Sequence, residues 1–370
     1  MKVVWRGVVE DGEPRPPSEV HSSFPALTRL SDGTLVLVCR LGSRKDSADG
    51  KLRLRASCDG GRTWKKVAPD FGGPIRGVPA ECRLGGVVEV PDGSRLFTFG
   101  WVERRDPALP FFSPKTEGLL PIHLGRARAS RGSWNFLMED DITVAPKLQP
   151  AITGSAVLLP GGEVLQTFET NKAYDDAGPW FHEACATISR DAGHAWDPPW
   201  VVASDPAGRL YYWDQRHAVL PDGRLFACFW TYDRIAQRDV AIHASWSEDG
   251  GRSWSLPFST GLEGQIATPI PLADGRVAVT WVRRHAPPGI RVALTSDGRT
   301  WEDEAEVYAL RKADAGRNEG GESTADYLQT MELWSFGLPG GVLLPGGNVL
   351  LSHYAPSPGG TRIDVVEVGL

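Results

Sequence analysis

The chain has 370 residues and a formal net charge of −6, which argues against a nucleic-acid partner. Its 42 glycines and 29 prolines are typical of a turn-rich all-β protein, and no apolar run of about 18 residues predicts a membrane span. The five cysteines are an odd number without clustered spacing, so we expect no disulfide framework, no metal site and no cofactor. The N-terminus shows no signal-peptide pattern, and we therefore expect a cytoplasmic location.

The first predicted element is a strand over Lys2–Val9, and six hairpin turns follow it along the chain. Each turn is an Asp-Gly or Gly-Gly pair followed by an apolar run, and Asp-Gly between apolar runs is a strong hairpin signal. Helical patterns are scarce, and residues 305–315 form at most a short helix in a loop. The six turns begin at Ser31, Pro91, Pro160, Pro221, Ala273 and Pro345.

A second motif alternates with these turns. It is a phrase of the form Ser-x-Asp-x-Gly-x-Thr-Trp, which we call the Asp phrase. An Asp carboxylate can accept backbone N–H groups within its own turn, and Gly supplies a left-handed backbone position. The terminal Trp is suited to packing between neighbouring sheets, so we predict a structural rather than a catalytic role. The copies are Ser57–Trp64, Ser189–Trp196, Ser247–Trp254, a shortened Thr295–Trp301 and a degenerate Ser130–Trp134.

Six turns with interleaved Asp phrases make six units of two hairpins each. Six four-stranded sheets predict an all-β, six-bladed β-propeller, in which the sheets pack against each other around a ring. The last unit lacks an Asp phrase and ends with the strand pattern of residues 361–368. We therefore predict that the N-terminal strand completes the last blade and closes the ring, with residues 1–370 forming one domain.

The Asp phrase is the motif known as the Asp box or BNR repeat, and with six blades the chain resembles the sialidase superfamily. The segments that carry the likeness best are Phe24–Arg40 and Arg44–Asp46, followed by the first Asp phrase. The resemblance implies an active site on one face of the ring, at the central axis. It would be built from the starts of the innermost strands and the loops after the second strands, with the Asp boxes on the opposite face.

The resemblance also implies roles for particular residues. Asp46 lies 13 residues before Asp59 and matches the family's acid/base, with Asp49 as a neighbouring competitor. Arg40 matches an arginine that follows the first blade's second strand. Asp214 stands where the family has the glutamate that activates a tyrosine nucleophile.

The chain departs from the sialidase pattern at three places. Ser23–Pro25 and Phe229–Asp233 stand where two of the three carboxylate-binding arginines are expected, and Trp334–Pro339 stands where the tyrosine nucleophile is expected. Tight binding of a carboxylate needs fixed cations. We therefore predict a substrate other than sialic acid.

Paired carboxylates across a cavity are what glycoside cleavage requires, so Asp46 and Asp214 are the catalytic candidates. Aromatic faces suit sugar rings, and arginines suit a uronic acid or a sulfate. Two long connections, residues 103–125 and 302–332, are expected to rim the same face. Further axial candidates are Glu169, Asp233, His21, His217, His285 and Trp281. The principal candidates for substrate binding are Arg40, Arg44, Glu81, Arg83, Trp213, Arg216, Trp230, Arg234, Arg283, Glu332, Trp334, His353 and Tyr354.

Three functions fit these observations. The first is an exo-acting glycoside hydrolase on a non-sialic sugar, in which a uronate is one option. The second is a polysaccharide lyase on a uronate-containing glycan, with a His or Tyr base. The third is a non-catalytic sugar-binding propeller. Each predicts a small saccharide or oligosaccharide as the partner, and none indicates an oligomeric state.

Overall fold

The computed structural model describes residues 1–9, 15–144, 149–285, 287–310 and 333–370. These residues form strands joined by turns, and the one helical element among them is a 3-10 turn at Pro17–Glu19. No helix in the described part of the chain is long and apolar enough to cross a membrane.

The first half of the chain forms a first strand, which pairs in the last blade, and three groups of antiparallel strands, which we call blades 1 to 3. A single parallel pair, His21 with Thr361, joins the first group to the last one. The first strand is β1 (Lys2–Val8). Blade 1 has β2 (His21–Arg29), β3 (Leu35–Gly42), β4 (Lys51–Ser57) and β5 (Lys65–Lys66). Blade 2 has β6 (Ala80–Glu89), β7 (Arg95–Glu103), β8 (Ile122–Ala129) and β9 (Leu137–Met138). Blade 3 has β10 (Gln149–Ile152), β11 (Val157–Leu158), β12 (Val164–Asn171), β13 (Glu183–Ser189) and β14 (Trp200–Ser204).

The second half forms blades 4 to 6 in the same way. Blade 4 has β15 (Leu210–Val219), β16 (Leu225–Asp233), β17 (Arg238–Asp239), β18 (His243–Ser247) and β19 (Phe258–Ser259). Blade 5 has β20 (Gln265–Pro271), β21 (Val277–Arg283), β22 (Gly289–Thr295) and β23 (Glu302–Ala309). Blade 6 has β24 (Gly337–Leu343), β25 (Val349–Ser357) and β26 (Gly360–Gly369).

The fourth strand of blade 6 is β1. It pairs antiparallel with β26 along its length, from Lys2 opposite Gly369 to Val8 opposite Asp364. The innermost strands contact one another in sequence around the axis, from β2 through β6, β11, β15, β20 and β24 back to β2. The prediction of an all-β, six-bladed propeller completed by the N-terminal strand is confirmed.

The second strands of the blades form much of the interior. Every residue of β3 and β16 is buried, because neighbouring strands and neighbouring blades cover both faces. The turn pairs between the first and second strands keep the innermost strands close to the axis. This arrangement leaves the loops between second and third strands free to extend over one face of the ring.

The Asp phrases form turns between third and fourth strands, at the opposite end of each blade from those loops. The Ser57 hydroxyl donates to Asp59 Oδ1 at 2.7 Å, and the Thr63 backbone N–H donates to the same oxygen at 2.9 Å. Gly61 has φ +90°, and a Cβ there would lie 2.6 Å from a methyl carbon of Leu350. The same hydrogen bonds recur at Asp191, Asp249 and Asp297.

One secondary-structure expectation is wrong. Residues 305–309 belong to β23, an edge strand, and residues 311–315 lie outside the described part of the chain. The strand is stabilised across the sheet, because Arg291 on β22 donates to Glu304 at 3.0 Å and to Glu306 at 3.4 Å. Charged residues on its exposed face gave it a sequence pattern close to that of a short helix.

Candidate active site

The innermost strands of five blades are irregular at corresponding places. The register shifts between Ser23 and Ala26, and equivalent shifts occur in β6, β15, β20 and β24. A bulge of this kind bends a strand and re-aims its side chains. The bulge residues that line a cavity on the ring axis are Phe24, Arg83, Leu84, Asp214, Ile266 and Leu338.

The cavity has a volume of about 140 Å³ and lies on the face formed by the loops after the second strands. Lys45 and Asp46 reach it from the loop between β3 and β4, and Phe111 and Phe112 reach it from the connection between β7 and β8. The structure therefore places one of the two long connections at this face, while most of residues 302–332 lie outside the described part. The remaining lining residues are Gly100, Ile122, Ala151, Ile152, Glu169, Trp230, Trp334 and Tyr354.

Asp214 is the one carboxylate among the described bulge residues, and its backbone is left-handed with φ +50°. Its side chain is 25% exposed, and its Oδ1 lies 3.5 Å from Nη2 of Arg216. Its backbone N–H donates to Oε2 of Glu169 at 3.2 Å. Burial and the charge of Glu169 raise the pKa of Asp214 to about 6, although Arg216 and Lys45 act in the opposite direction.

Asp46 has the opposite electrostatic setting. Arg83 forms an ion pair with its carboxylate, and Lys45 and Arg40 add positive charge nearby. Burial alone would raise the pKa of Asp46, but these cations outweigh it and hold the pKa at about 2. Asp46 is therefore ionised at neutral pH. Asp49, its competitor, holds the loop instead by accepting the Ser43 N–H at 3.1 Å.

A buried ion-pair network supports this side of the cavity from behind. Glu81 is fully buried and accepts from Arg40 at 2.7 Å, from Arg83 at 3.1 Å and from Arg104 at 2.7 Å. Arg40 also donates to the backbone carbonyl of Arg44 at 2.9 Å. Arg40 and Glu81 thus position Arg83 and the loop, and they do not line the cavity.

Lys45 was not among the sequence candidates. Lys45 is 6% exposed. Its ammonium nitrogen lies 5.8 Å from the ring centroid of Phe24, 5.4 Å from that of Trp334 and 5.6 Å from that of Tyr354. Burial lowers the pKa of Lys45 to about 7, partly offset by the charge of Asp46. Its position next to Asp46 in sequence is the one signal that could have found it.

Glu169 was on the wider axial list, and the structure places it beside Asp214. Its Oε2 lies 3.1 Å from Nε2 of the buried His182. A carboxylate held by two donors in this way keeps a fixed position. Glu169 is therefore able to influence the proton on Asp214, and it is a third acidic group in the cavity.

Aromatic side chains of blades 4 and 6 line the cavity in addition to Phe24, Phe111 and Phe112. Trp230 donates from Nε1 to Asp239 Oδ1 at 2.7 Å, and its ring lies 5.9 Å from that of Trp334. Burial raises the pKa of Tyr354 to about 12, so its hydroxyl is protonated at neutral pH. Trp230, Trp334 and Tyr354 all line the cavity.

Four candidates lie near the cavity without lining it, and all except the half-buried His217 are buried. Trp213 packs against Trp230 at 4.9 Å between ring centroids, within the aromatic core of blade 4. Arg216 and His217 both face a separate channel of about 480 Å³ along the axis. His353 packs against Tyr308 at 5.1 Å between centroids, on the outer side of its strand.

The remaining candidates lie elsewhere. Arg44 and Arg234 are exposed, and neither lines the cavity. Arg283 lies 3.8 Å from Glu263 in a surface cleft, whereas its neighbour Arg284 stacks 4.1 Å from the ring centroid of Trp334. Glu332 lies outside the described residues.

The fold is similar to that of the propellers of a sialidase and an arabinanase. The sequence matches no protein-family model and no curated protein. Several solved structures are similar to this chain. Their sequence identities are low, so the similarity establishes the fold and nothing further.

A protein of unknown function from Dyadobacter fermentans aligns with a TM-score of 0.73 and 20% identity, over 99% of this chain and 98% of its own. A Hadza microbial sialidase, Hz136, aligns with a TM-score of 0.66 and 14% identity, over 95% of this chain and 66% of the sialidase. An α-L-arabinanase of Penicillium chrysogenum, solved with arabinobiose, aligns with a TM-score of 0.64 and 11% identity, over 95% of each chain.

Proposed function

We propose that the protein is an exo-acting glycoside hydrolase that acts on a sugar other than sialic acid. The observation that carries this proposal is Asp214, a carboxylate aimed into an otherwise largely apolar ring of bulge residues. A titratable group with a raised pKa in a cavity is a candidate for proton transfer. The small volume of the cavity suits the terminal unit of a glycan.

The two carboxylates have pKa values that burial and ion pairing push apart, which supports a division of roles. Asp214, protonated below about pH 6, donates a proton to the leaving oxygen. Asp46, ionised beside Arg83, acts as nucleophile or as the base that activates water. The resemblance assigned the acid/base role to Asp46, and the Arg83 ion pair favours the reverse assignment.

The neighbouring structures support a sugar as the ligand. Their names identify a sialidase and an arabinanase, and the arabinanase holds arabinobiose. The aromatic faces of Trp230 and Trp334 suit the apolar C–H faces of a sugar ring.

The test is turnover of a panel of aryl glycosides and oligosaccharides by wild type, Asp214→Asn and Asp46→Asn. The matched control is Asp140→Asn, since the Asp140 side chain is 98% exposed. We expect the two cavity variants to lose activity and the control to keep it. Full activity in either cavity variant would remove that residue from the mechanism.

Two further measurements on the same sugars separate hydrolysis from the other two functions. A lyase would release a product whose unsaturated ring absorbs ultraviolet light, without consuming water. A binding module would retain a sugar on an affinity column without turnover. Either result would replace the proposed hydrolysis.

A further inference from the structure

We infer that the separate channel on the ring axis contains a binding site for a small monovalent anion of the halide class, where Arg216 lies against Gly154. The site is not the cavity, and the inference does not depend on the proposed hydrolysis. It is carried by a buried arginine whose charge is poorly compensated, by the space beside that arginine and by the neutral groups around it.

The channel has a volume of about 480 Å³ and is formed by the innermost strands of the blades. Its lining extends from the bulges, at Pro25 and Pro339, to the strand ends near Ser31. Ser31 is exposed, so this end of the channel meets solvent. Two lining residues near this end have opposite charges, Arg29 and Glu89, so neither sign of charge prevails at the mouth.

Arg216 is the charged residue at the inner end of the channel. Its side chain is 9% exposed, and its Nε and Nη2 are buried without a hydrogen-bond acceptor in the described part of the chain. Asp214 Oδ1 lies 3.5 Å from Nη2, which is longer than an ordinary hydrogen bond. Burial lowers the pKa of Arg216, although Asp214 and Glu169 act in the opposite direction. An anion that accepts from this guanidinium would recover part of the cost of its burial.

The space for an ion lies beside Gly154. A Cβ built on Gly154 would lie 3.4 Å from Cδ of Arg216 and 3.6 Å from its Nη1. The φ of Gly154 is outside the left-handed region, so its backbone conformation does not require glycine. The missing side chain therefore leaves room against the guanidinium, on a wall of the channel.

The other polar groups near this end are neutral. Both ring nitrogens of His217 are buried and have no partner among the described residues. Burial and the charge of Arg216 lower the pKa of His217 to about 4, so at neutral pH the imidazole is uncharged and offers one N–H donor. The one carboxylate of the described lining, Glu89, accepts the Ser31 N–H at 2.7 Å near the mouth. Within the channel, an anion at Arg216 therefore meets a cation and no carboxylate.

Anion binding is coupled to the proton on Asp214. The charge of Arg216 lowers the pKa of Asp214, and an anion beside Arg216 offsets that charge. The anion therefore keeps Asp214 protonated up to a higher pH, and by reciprocity the protonated protein binds the anion more tightly. Of the groups across the cavity, Glu169 raises the pKa of Asp214 and Lys45 lowers it. The titratable and charged groups that line the cavity with Asp214 are Glu169, Lys45, Asp46, Arg83 and Tyr354.

The first experiment soaks crystals of the full chain in sodium bromide and records anomalous diffraction at the bromine edge. We expect a bromide peak in the channel, beside Arg216 and Gly154. Its occupancy should be higher at about pH 5 than at about pH 8, because Asp214 is protonated at the lower pH. Bromide on surface cations alone would show an adventitious ion only and would overturn the inference.

The second experiment measures the affinity in solution, from the broadening of the chloride NMR signal. Gly154→Ala fills the space at ordinary contact distances and is expected to weaken binding about tenfold, while Arg216→Gln should remove it. Arg190→Gln is the matched control, because the Arg190 side chain is 51% exposed and lies outside the channel. Equal affinities in Gly154→Ala and wild type would place the bound anion elsewhere and contradict the assignment.

The third experiment follows the carboxyl carbon of Asp214 by NMR across pH, in sodium chloride and in sodium gluconate at equal ionic strength. Gluconate is too large for the space beside Gly154. We expect chloride to raise the pKa of Asp214 by about half to one pH unit, and Arg216→Gln to abolish the difference between the salts. The same pKa in both salts would refute the coupling. None of the three readouts uses turnover, so failure of the proposed hydrolysis leaves them interpretable.

Discussion

Asp297 in a blade turn and Asp214 in the axial cavity are the same residue type in two opposite settings. Asp297 accepts hydrogen bonds from the backbone of Arg299 and Thr300, and these bonds hold its pKa at about 2. Asp214 lies on a bulge at the axial cavity, and burial together with the charge of Glu169 raises its pKa to about 6. The first aspartate recurs at equivalent places in other blades and stabilises a turn, whereas the second interrupts an apolar pattern at a cost in stability.

The difference shows which kind of repetition carries function in this fold. A residue that recurs with the blades serves the architecture that all blades share. Asp214 breaks the recurrence, because blades 1 and 6 place the apolar Phe24 and Leu338 at the corresponding bulge position, and it therefore has another reason to be present. The predictions below test this contrast, beginning with the largest expected effect.

The largest contrast is expected in catalysis. Asp214→Asn removes the proposed proton donor, and general acid catalysis contributes about 10²- to 10⁴-fold to a rate. We expect kcat/KM to fall by that factor, while Asp297→Asn leaves it within about twofold of wild type. Steady-state kinetics on the substrate found in the glycoside panel provide the measurement. Equal losses in the two variants would contradict the contrast.

The second contrast concerns pH. Because Asp214 must be protonated to act as the acid, kcat/KM should fall about tenfold per pH unit above about pH 6. Arg216→Gln should move this fall to higher pH, since the Arg216 charge lowers the pKa of Asp214. Arg234→Gln, at an exposed position, is the control and should leave the profile unchanged. If the pH dependence of kcat/KM is the same in Arg216→Gln as in the wild type, the fall at high pH reports the titration of a group other than Asp214.

The third contrast concerns stability. The pKa of Asp214 is raised from 3.8 to about 6 on folding, so its favourable contribution is complete below about pH 3.8 and is lost as the pH rises through about 6. Asn cannot ionise, and Asp214→Asn should therefore increase the free energy of unfolding by about 1–3 kcal/mol at pH 8 and by little at pH 4. Urea unfolding at the two pH values measures the difference. A decrease at pH 8 would mean that the ionised carboxylate is well stabilised.

The smallest contrast is the loss of a turn aspartate. Asp249 accepts from the Ser253 backbone N–H at 2.9 Å and from the Ser253 hydroxyl at 2.6 Å. Asp249→Ala removes both bonds and should lower the free energy of unfolding by about 1–2 kcal/mol, as the loss of a capping residue does. Chemical denaturation at pH 7 measures it, with Glu248→Ala, one residue away, as the control. An effect no larger than that of the control would make the phrase dispensable for stability.

Much of the fold could be predicted because repeated turns are a local signal. Asp-Gly pairs and Asp phrases depend on a few neighbouring residues. Each copy therefore predicts one hairpin, and the number of copies predicts the number of blades. The role of β1 in the last blade could be predicted from the sequence for two reasons. The last unit is one strand short, and the strand pattern at the N-terminus belongs to no other unit. Edge strand β23 was misread because its stability comes from Arg291 on another strand.

The site was harder to predict because the bulges break the alternation of strand side chains. Alternation predicts that either Arg216 or His217 faces the cavity, yet neither lines it. Both line the separate channel instead, because that channel runs along the edge of β15, where successive residues contact it. The prediction of Arg283 missed the arginine beside the cavity by one residue, because Arg283 is the last residue of β21 and Arg284 follows it. No sequence pattern indicated that Lys45 is buried, because its burial depends on three aromatic rings from segments that are distant in sequence.

The pairing of β1 with β26 joins residues 2–8 to residues 364–369, which are far apart in sequence. Bringing distant segments together costs loop-closure entropy, and this cost must be met before the contacts between the two strands form. Until β26 is in place, the alternating half-buried face of β1 has no partner strand. An unpaired strand edge can pair with other chains, so the step that completes blade 6 also removes a site of aggregation.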